Sequence, residues 1–508
     1  MNKTQVKAAL PRELLASVVV FLVALPLCMG IAIASGMPPA KGLITGIVGG
    51  IVVGWLAGSP LQVSGPAAGL AVLVFELVRQ HGVAMLGPIL LLAGLLQLLA
   101  GRLRLGCWFR VTAPAVVYGM LAGIGVLIVL SQVHVMFDSA PQPSGLANLL
   151  GFAATLTQAL EGTGNGWQAG LLGLGTIVIM WGWERLRPQP LRFVPGALLG
   201  VALMTVISIW LGLSVNRVEV PADLSQAIDW LRPTDLLNLA DPGLLVAAFA
   251  LAFIASAETL LSAAAVDRMH NGQRSDFDRE LSAQGLGNML CGLLGALPMT
   301  GVIVRSSANV QAGAQTRLSA ILHGVWLLGF VVVLSSVLQQ IPVASLAGVL
   351  VFTGLKLVDF KAFRGLGRYG RMPMITYAAT ALAIIFTDLL TGVLLGFALT
   401  LLKLALKAAR LKISVVSLEQ PGHLELRLSG AATFLKVPAL AQVLEGIPSG
   451  TTLHVPLANL SYIDHSCLEL LEDWGRANAG KGSRLLIEQH RLKRRVEGRV
   501  RTTAGLGA

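Results

Sequence analysis

The stretches that decide the fold are QVSGPAAG at residues 62–69 and PMTGVIVRSS at residues 298–307. Both begin an apolar segment with small residues and a Gly or Pro interruption, and each is third in its half when fourteen segments divide into two sevens. A repeat with an odd number of spans must be inverted when it occurs twice. Interrupted segments at matching positions of two halves indicate a binding site near the membrane midplane. The alternative is that Gly and Pro only permit close helix packing.

The rest of the chain has the composition of a membrane protein. Of its 508 residues, 55% are hydrophobic and 13% are charged, against a charged share of about 25% in soluble domains. Stretches of the roughly 20 apolar residues that cross a bilayer recur from residue 14 to residue 409. We therefore predict an all-α polytopic membrane protein with fourteen transmembrane segments in a seven-plus-seven inverted repeat. The predicted segments cover residues 14–36, 39–57, 63–79, 83–101, 113–135, 166–184, 194–214, 243–265, 280–297, 301–314, 317–338, 343–357, 373–388 and 390–409.

The distribution of positive charge predicts the orientation. The net charge of +12 comes from Arg and Lys residues that gather in alternate loops, whereas the loop over residues 216–241 is acidic. This positive-inside pattern predicts that both termini are cytoplasmic, in an integral protein of the cytoplasmic (inner) membrane, and it argues against a nucleic-acid partner. The four cysteines stand alone, so neither a disulfide framework nor a metal site is indicated.

Arg305 is the most informative single residue. An arginine inside an apolar segment costs at least about 2.5–3.5 kcal/mol by insertion scales, so another interaction must offset that cost. At the start of a short helix it would lie beside free N–H groups of residues 306–308 and the positive end of the helix dipole. If the N–H groups of residues 67–69 face it, two half-helix starts converge on one anion. A structural ion pair or a snorkelling side chain is the alternative. The candidate anion-binding residues are Ala67, Ala68, Gly69, Arg305, Ser306 and Ser307.

Glu258 lies in the middle of the segment over residues 243–265, and helical spacing places Ser262 one turn further along the same face. A carboxylate in this position either takes up a proton or binds a cation. We therefore predict that Glu258 and Ser262 hold a coupling ion, Na⁺ or H⁺, and no other cofactor is indicated. The alternative is a salt bridge to Arg305 that only holds the two halves together. No Walker motif and no catalytic constellation occurs, so neither ATP-driven pumping nor an enzyme is favoured.

The character of the sequence changes after residue 409. Alternating strand and helix patterns over residues 410–490 predict a small α/β domain, which follows a transmembrane transport domain over residues 1–409. Residues 491–508 are basic and then Gly-rich, which is typical of a solvated tail or of a contact with anionic lipid headgroups. The predicted strands are residues 412–418, 423–428, 452–457 and 483–487, and the predicted helices are residues 437–444 and 467–477.

With these residues identified, the chain resembles the SulP family of inorganic anion transporters over nearly its whole length. The resemblance implies core and gate domains with an elevator-like movement, and an anion held near Arg305 between the third and tenth segments. It also implies coupling through the acidic residue of the eighth segment, and a homodimer, because relatives are often dimers. The matching motifs are ALP at residues 24–26, AIASGMPP at residues 32–39, SGP at residues 64–66, ETLL at residues 258–261 and RSSANVQAG at residues 305–313.

The tail resembles a STAS domain. The stretch LANLSYIDHS at residues 457–466 is similar to a strand-to-helix loop in which relatives carry Asp-Ser-Ser-Gly. Here His465 replaces the first Ser and Cys467 replaces the Gly. Ser466 matches the position that is phosphorylated in soluble relatives, which makes it a candidate regulatory residue, whereas helix capping by Asp464 or Ser466 is the alternative. A STAS domain also implies a cytoplasmic partner.

Together these features predict secondary active transport of a small inorganic anion of the sulfate or bicarbonate class, coupled to Na⁺ or H⁺. Many members of the family have a polar Gln after the Pro of the first segment, whereas this chain has Leu27 and then Cys28. That difference favours neither anion. A passive anion channel or exchanger, and a membrane sensor whose output is the STAS domain, are the alternative functions on the same scaffold.

Overall fold

The structure is a computed structural model that describes residues 3–106, 114–142, 144–161, 165–186, 188, 194–221, 223–237, 241–408 and 411–487. The chain divides into two compact units, residues 1–397 and residues 398–508. The first unit is helical apart from one short pair of strands, and the second contains a five-stranded sheet.

The chain up to residue 408 contains the following helices, given in chain order. The first nine are α1 (Lys3–Ala34), α2 (Pro39–Leu56, with a π-helical turn over Gly49–Val53), α3 (Ala68–His81), α4 (Val83–Arg102), α5 (Pro114–Met136), α6 (Gly145–Leu160), α7 (Gly166–Leu186), α8 (Gly196–Trp210) and α9 (Pro233–Leu237). The next eight are α10 (Pro242–Val266), α11 (Phe277–Leu293), α12 (Ile303–Gln311), α13 (Leu318–Leu338), α14 (Val343–Leu357), α15 (Phe360–Leu366), α16 (Arg371–Phe386) and α17 (Leu389–Ala408).

Within the described residues, seven helices are long and apolar enough to cross a bilayer on their own. This number is lower than the fourteen predicted segments, partly because α3 has 14 residues and α12 has 9, which is too short for a single helix to span. One helix, α6, lies where the sequence predicted only a connection. It begins after Ser144, whose side chain accepts a hydrogen bond from the N–H of Ala147 at 3.2 Å, as N-cap residues do.

Close helix packing in the first unit depends on glycine, and α4 against α11 is the clearest case. A Cβ on Gly94 would lie 2.5 Å from the carbonyl oxygen of Gly285, and a Cβ on Gly285 would lie 2.5 Å from the backbone N of Leu98. The two backbones are therefore in direct contact, as is typical of membrane helices with small residues at their interface.

Two three-residue strands pair in the interior of the first unit. Strand β1 (Ser64–Pro66) runs antiparallel to β2 (Met299–Gly301), with Ser64 opposite Gly301 and Pro66 opposite Met299. Every residue of both strands is buried. Each strand leads directly into a helix, β1 into α3 and β2 into α12, so this pair fixes where the two helices begin.

The second unit has the α/β organisation predicted for the tail. Its sheet has the order β3-β4-β5-β7, with β6 also paired to β4, and β3 is antiparallel to β4 whereas the other pairs are parallel. All four predicted strands and both predicted helices are confirmed, and the strand β6 was not predicted. The elements are β3 (Leu411–Ser417), β4 (His423–Ala432), α18 (Val437–Glu445), β5 (Thr452–Val455), β6 (Leu460–Ile463), α19 (His465–Ala479) and β7 (Arg484–Ile487).

Candidate anion-binding site

The pairing of β1 with β2 brings the N-termini of α3 and α12 together. The residues that precede the two helices, Ala67 and Val302, are extended, and neither has a side chain that accepts a hydrogen bond from the helix. The first N–H groups of a helix have no acceptor within the helix, and they carry the positive end of its dipole. Two such ends therefore lie close together, and neither receives a capping hydrogen bond from the residue that precedes it.

The free donors of α12 lie one turn earlier than the sequence predicted. The helix begins at Ile303, so Ser306 is already in its second turn, and the N–H of Ser306 donates to the carbonyl oxygen of Val302 at 3.0 Å. The Ser306 hydroxyl is also occupied, because it accepts from the N–H of Val63 at 2.9 Å and donates to Val302 O at 2.7 Å. The expectation that Ser306 offers a free N–H group is wrong, and the uncapped first turn of α12 starts at Ile303 and Val304.

Ser307 follows Ser306 in the second turn of α12, whereas Ala67, Ala68 and Gly69 lie at the start of α3. The hydroxyl of Ser307 donates to Val304 O at 2.9 Å, within its own helix. In the first turn of α3, Leu70 donates its N–H to Ala67 O at 3.1 Å, whereas the N–H groups of Ala68 and Gly69 are the positions that a helix leaves without acceptors. Ala68 and Gly69 thus lie in the first turn of α3.

Arg305 is completely buried, behind the strand pair. Its Nη2 donates to the carbonyl oxygen of Pro66 at 3.4 Å, while Nε and Nη1 have no hydrogen-bond partner. The guanidinium fits only because residue 65 is glycine, since a Cβ on Gly65 would lie 2.2 Å from Nη1. Among the described residues, none forms an ion pair with Arg305, so its charge is not neutralised by a protein carboxylate.

One cavity of about 640 Å³ connects the two helix starts with the predicted coupling residues. Its wall includes the first residues of α3 and α12, but Arg305 does not reach it. A guest in this cavity would therefore meet backbone N–H groups directly and the arginine charge through the strand pair. Residues at the two helix starts and on α10 line the cavity: Ala68, Gly69, Ile303, Val304, Glu258 and Ser262.

Glu258 and Ser262, on α10, carry unpartnered polar atoms. Glu258 Oε2 and Ser262 Oγ are both buried and have no hydrogen-bond partner. The carboxylate lies against α3, because a Cβ on Gly69 would be 2.8 Å from Oε1 and 2.9 Å from Oε2. The alternative of a Glu258–Arg305 salt bridge is not observed within the described part of the chain.

A network of buried amides and hydroxyls holds the strand pair in place, and the sequence analysis missed it. Asn288 of α11 donates to Met299 O at 3.2 Å and accepts from Met299 N at 2.8 Å. Thr259, next to Glu258, accepts from Gly301 N at 3.2 Å. Gln284 donates to Ser64 Oγ at 2.5 Å. Amide side chains within apolar segments could have revealed this network, because buried polar groups need partners.

Ser466, the candidate regulatory residue of the second unit, lies in the first turn of α19 and is exposed. Asp464 precedes that helix, and its carboxylate accepts from the N–H of Ser466 at 3.3 Å and from the N–H of Phe434 at 3.0 Å. The capping role considered for Asp464 is therefore confirmed. Burial and the neighbouring Asp464 carboxylate raise the pKa of the Cys467 thiol, so the residue in place of the usual Gly is a buried, protonated thiol.

This fold and site define a class of protein, a polytopic membrane transporter for anions. The chain belongs to the Sulfate permease family, whose model matches residues 10–380. It is 29% identical over 405 residues to YvdB of Bacillus subtilis (strain 168), which is named as a candidate sulfate transporter, and the match covers 76% of this chain and 72% of that protein. The homologues found are transporters rather than enzymes.

Two solved structures show the same fold. The transmembrane domain of a cyanobacterial bicarbonate transporter, BicA, aligns with a TM-score of 0.65 at 25% identity, covering 76% of this chain and 97% of that domain. Murine Solute Carrier 26 family member A9, an anion transporter in the inward-facing state, aligns with a TM-score of 0.77 at 15% identity, covering 94% of this chain and 85% of that one.

Proposed function

We propose that the protein is a secondary active transporter that moves a small inorganic anion of the sulfate or bicarbonate class together with Na⁺ or H⁺. The observation that carries this proposal is one cavity lined both by two uncapped helix starts and by a carboxylate without a partner. Helix N-termini bind anions through free N–H groups and the dipole, whereas a carboxylate attracts a cation. The names of the relatives, which include both sulfate and bicarbonate transporters, support the same two substrate classes.

In this proposal the anion binds between α3 and α12. Ala67, Ala68 and Gly69 supply donors from one side, and the first turn of α12 supplies donors from the other. Arg305 contributes charge from behind the strand pair, since its guanidinium is buried and unpaired and Coulomb interactions are strong where water is excluded. Ser306 holds the start of α12 in place through the N–H of Val63, and the Ser307 hydroxyl is bonded to Val304 O within the same helix, so neither hydroxyl contacts the anion.

The coupling ion binds at Glu258 and Ser262. The Glu258 carboxylate lies against Gly69 at the very helix start that would hold the anion, so an ionised carboxylate would repel the substrate. Na⁺ or H⁺ at Glu258 removes this repulsion, and anion binding in turn favours the cation. That reciprocity is what coupling requires.

The architecture proposed for this function is the fourteen-segment, seven-plus-seven inverted repeat, with core and gate domains and an elevator-like movement. The antiparallel pairing of β1 with β2 supports it, because the two interrupted segments then enter the membrane from opposite sides. The proposed architecture has three parts: a transport domain over residues 1–409, a STAS-like cytoplasmic domain over residues 410–490 and a tail over residues 491–508. The protein lies in the inner membrane with both termini in the cytoplasm. It forms a homodimer. The STAS-like domain contacts a cytoplasmic partner, and Ser466 is its regulatory position.

Radiotracer uptake into proteoliposomes tests the function directly. Sulfate and bicarbonate are offered separately, each with an imposed Na⁺ gradient or an imposed pH gradient. We expect saturable accumulation of one anion driven by one of the gradients. Glu258→Gln should retain binding but lose dependence on that gradient. Unitary currents without accumulation would indicate a channel instead, and a wild-type protein that takes up neither anion would refute the proposal.

A further inference from the structure

The cavity that contains the helix starts extends to the loop between α10 and α11. Its outer wall includes Arg268, Arg274 and Asp267. The facing wall carries no charge: it consists of residues such as Val117 of α5 and Thr353 of α14. The mouth of the cavity is therefore the only part of its wall, among the described residues, where guanidinium groups are exposed to a guest.

The carboxylate at this mouth is already engaged, whereas one of the arginines is not. Asp267 accepts from the N–H of Ser275 at 3.1 Å and from its hydroxyl at 2.8 Å. Arg274 donates from Nη1 to the backbone carbonyl of Asp267. In the part of the chain that the structure describes, no acceptor is bonded to the Arg268 guanidinium, which is exposed. The mouth thus presents a positive charge that Asp267 does not neutralise directly.

The loop that carries these arginines is fixed to the elements that carry the helix starts. The hydroxyls of Ser59 and Ser275 are hydrogen-bonded at 2.8 Å, with Ser275 Oγ as the acceptor because its own hydrogen is donated to Asp267, and the N–H of Asp276 donates to Gly58 O at 3.2 Å. Gly58 and Ser59 belong to the connection that leads from α2 into β1. The loop is therefore tied by hydrogen bonds to the connection that leads into β1, and an ion at the mouth lies at the entrance to the cavity.

We propose that Arg268, with Arg274 beside it, forms an outer capture site for small inorganic anions that loads the site between α3 and α12. This inference rests on the proposed anion transport. A positive group at the mouth of a low-dielectric cleft raises the local concentration of anions and their rate of association. The capture site therefore lowers KM, the anion concentration that gives half the maximal rate from this side of the membrane. It leaves kcat, the rate of the loaded carrier, unchanged.

Everted membrane vesicles present this loop to the medium in the proposed orientation, with both termini cytoplasmic. Arg268→Gln is compared with Arg268→Lys and with Arg102→Gln. The last variant removes the same charge from an exposed arginine at the end of α4 that does not line the cavity. At about 10 mM ionic strength, where the Debye length is roughly 30 Å, we expect Arg268→Gln to raise KM about three- to tenfold at unchanged kcat. Arg268→Lys and Arg102→Gln should behave as wild type.

At about 1 M ionic strength the Debye length falls to roughly 3 Å, so the difference between Arg268→Gln and wild type should disappear. Equal KM values for Arg268→Gln and Arg102→Gln at low ionic strength would overturn the capture site while leaving transport itself intact. A fall in kcat that persists at high ionic strength would show a structural role for Arg268 and would also overturn it. Absence of saturable transport by the wild type would refute the proposed function instead.

Discussion

The carboxylate of Glu258 occupies the space that a side chain at Gly69 would need, at the start of α3. A Cβ on residue 69 would lie 2.8 Å from Oε1 and 2.9 Å from Oε2, which is closer than side-chain atoms pack. The carboxylate can reach the uncapped helix start only because residue 69 has no side chain. The proposed cation site and the proposed anion site therefore share one helix terminus.

Gly69→Ala should strongly impair coupled uptake. The added methyl group must displace the Glu258 carboxylate or the first turn of α3, and overpacking of this kind costs about 1–3 kcal/mol, or roughly 5- to 150-fold in affinity. Uptake kinetics in proteoliposomes measure the effect. Gly329→Ala on α13 is the control, because no atom lies within 4 Å of its Cβ position. Wild-type kinetics for Gly69→Ala would contradict the shared terminus.

Arg305→Ala should abolish saturable uptake while the protein still folds. The guanidinium donates a long hydrogen bond to Pro66 O at 3.4 Å, lies beside the Cys28 thiol, and forms no ion pair within the described residues. Because no protein carboxylate loses an ion-pair partner when the guanidinium is removed, the variant should still fold. Arg305→Lys keeps the charge and should retain part of the uptake, since lysine supplies a point charge without the planar guanidinium. Radiotracer uptake and size-exclusion profiles test both variants, and normal uptake by Arg305→Ala would remove Arg305 from the site.

Local sequence patterns could predict which segments surround the site, but not how they pair. The Gly- and Pro-interrupted stretches at residues 62–69 and 298–307 correctly marked the two half-helices, because such interruptions have local causes. The pairing of Ser64 with Gly301 joins residues far apart in the chain, and no periodicity within either stretch encodes it. The hydrogen bond of Gln284 to Ser64 Oγ joins residues 220 positions apart in the same way.

The error at Ser306 has the same origin. The sequence-based prediction placed Arg305 at the start of a short helix, with free N–H groups at residues 306–308. The strand β2 ends at Gly301 and lets α12 begin at Ile303, so the free donors move one turn toward the N-terminus. The burial of Arg305 was expected, but its place behind the strand pair depends on the tertiary contact with Gly65 and could not be predicted.

Ser306→Ala should destabilise the protein. The hydroxyl is fully buried and accepts the N–H of Val63 at 2.9 Å, so its loss leaves that buried N–H without a partner, at a cost of about 1–3 kcal/mol. Ser307→Ala is the matched control on the same helix, because its hydroxyl only donates to Val304 O within the helix. Thermal unfolding in detergent should show a lower midpoint for Ser306→Ala alone. Equal midpoints for the two variants would mean that Ser306 does not anchor the strand pair.

Cys467 of the second unit should resist alkylation at neutral pH. Burial and the Asp464 carboxylate raise the pKa of its thiol, and only the thiolate reacts, so the rate should rise as the pH is increased beyond the usual range of a cysteine. A variant with the other three cysteines replaced by alanine isolates this thiol, and its rate with iodoacetamide is compared with that of the same protein in denaturant. Asp464→Asn removes the charge but keeps a good N-cap residue. It should therefore speed labelling at a given pH without unfolding α19. Equal rates in the folded and denatured protein would show that Cys467 is not buried against the sheet.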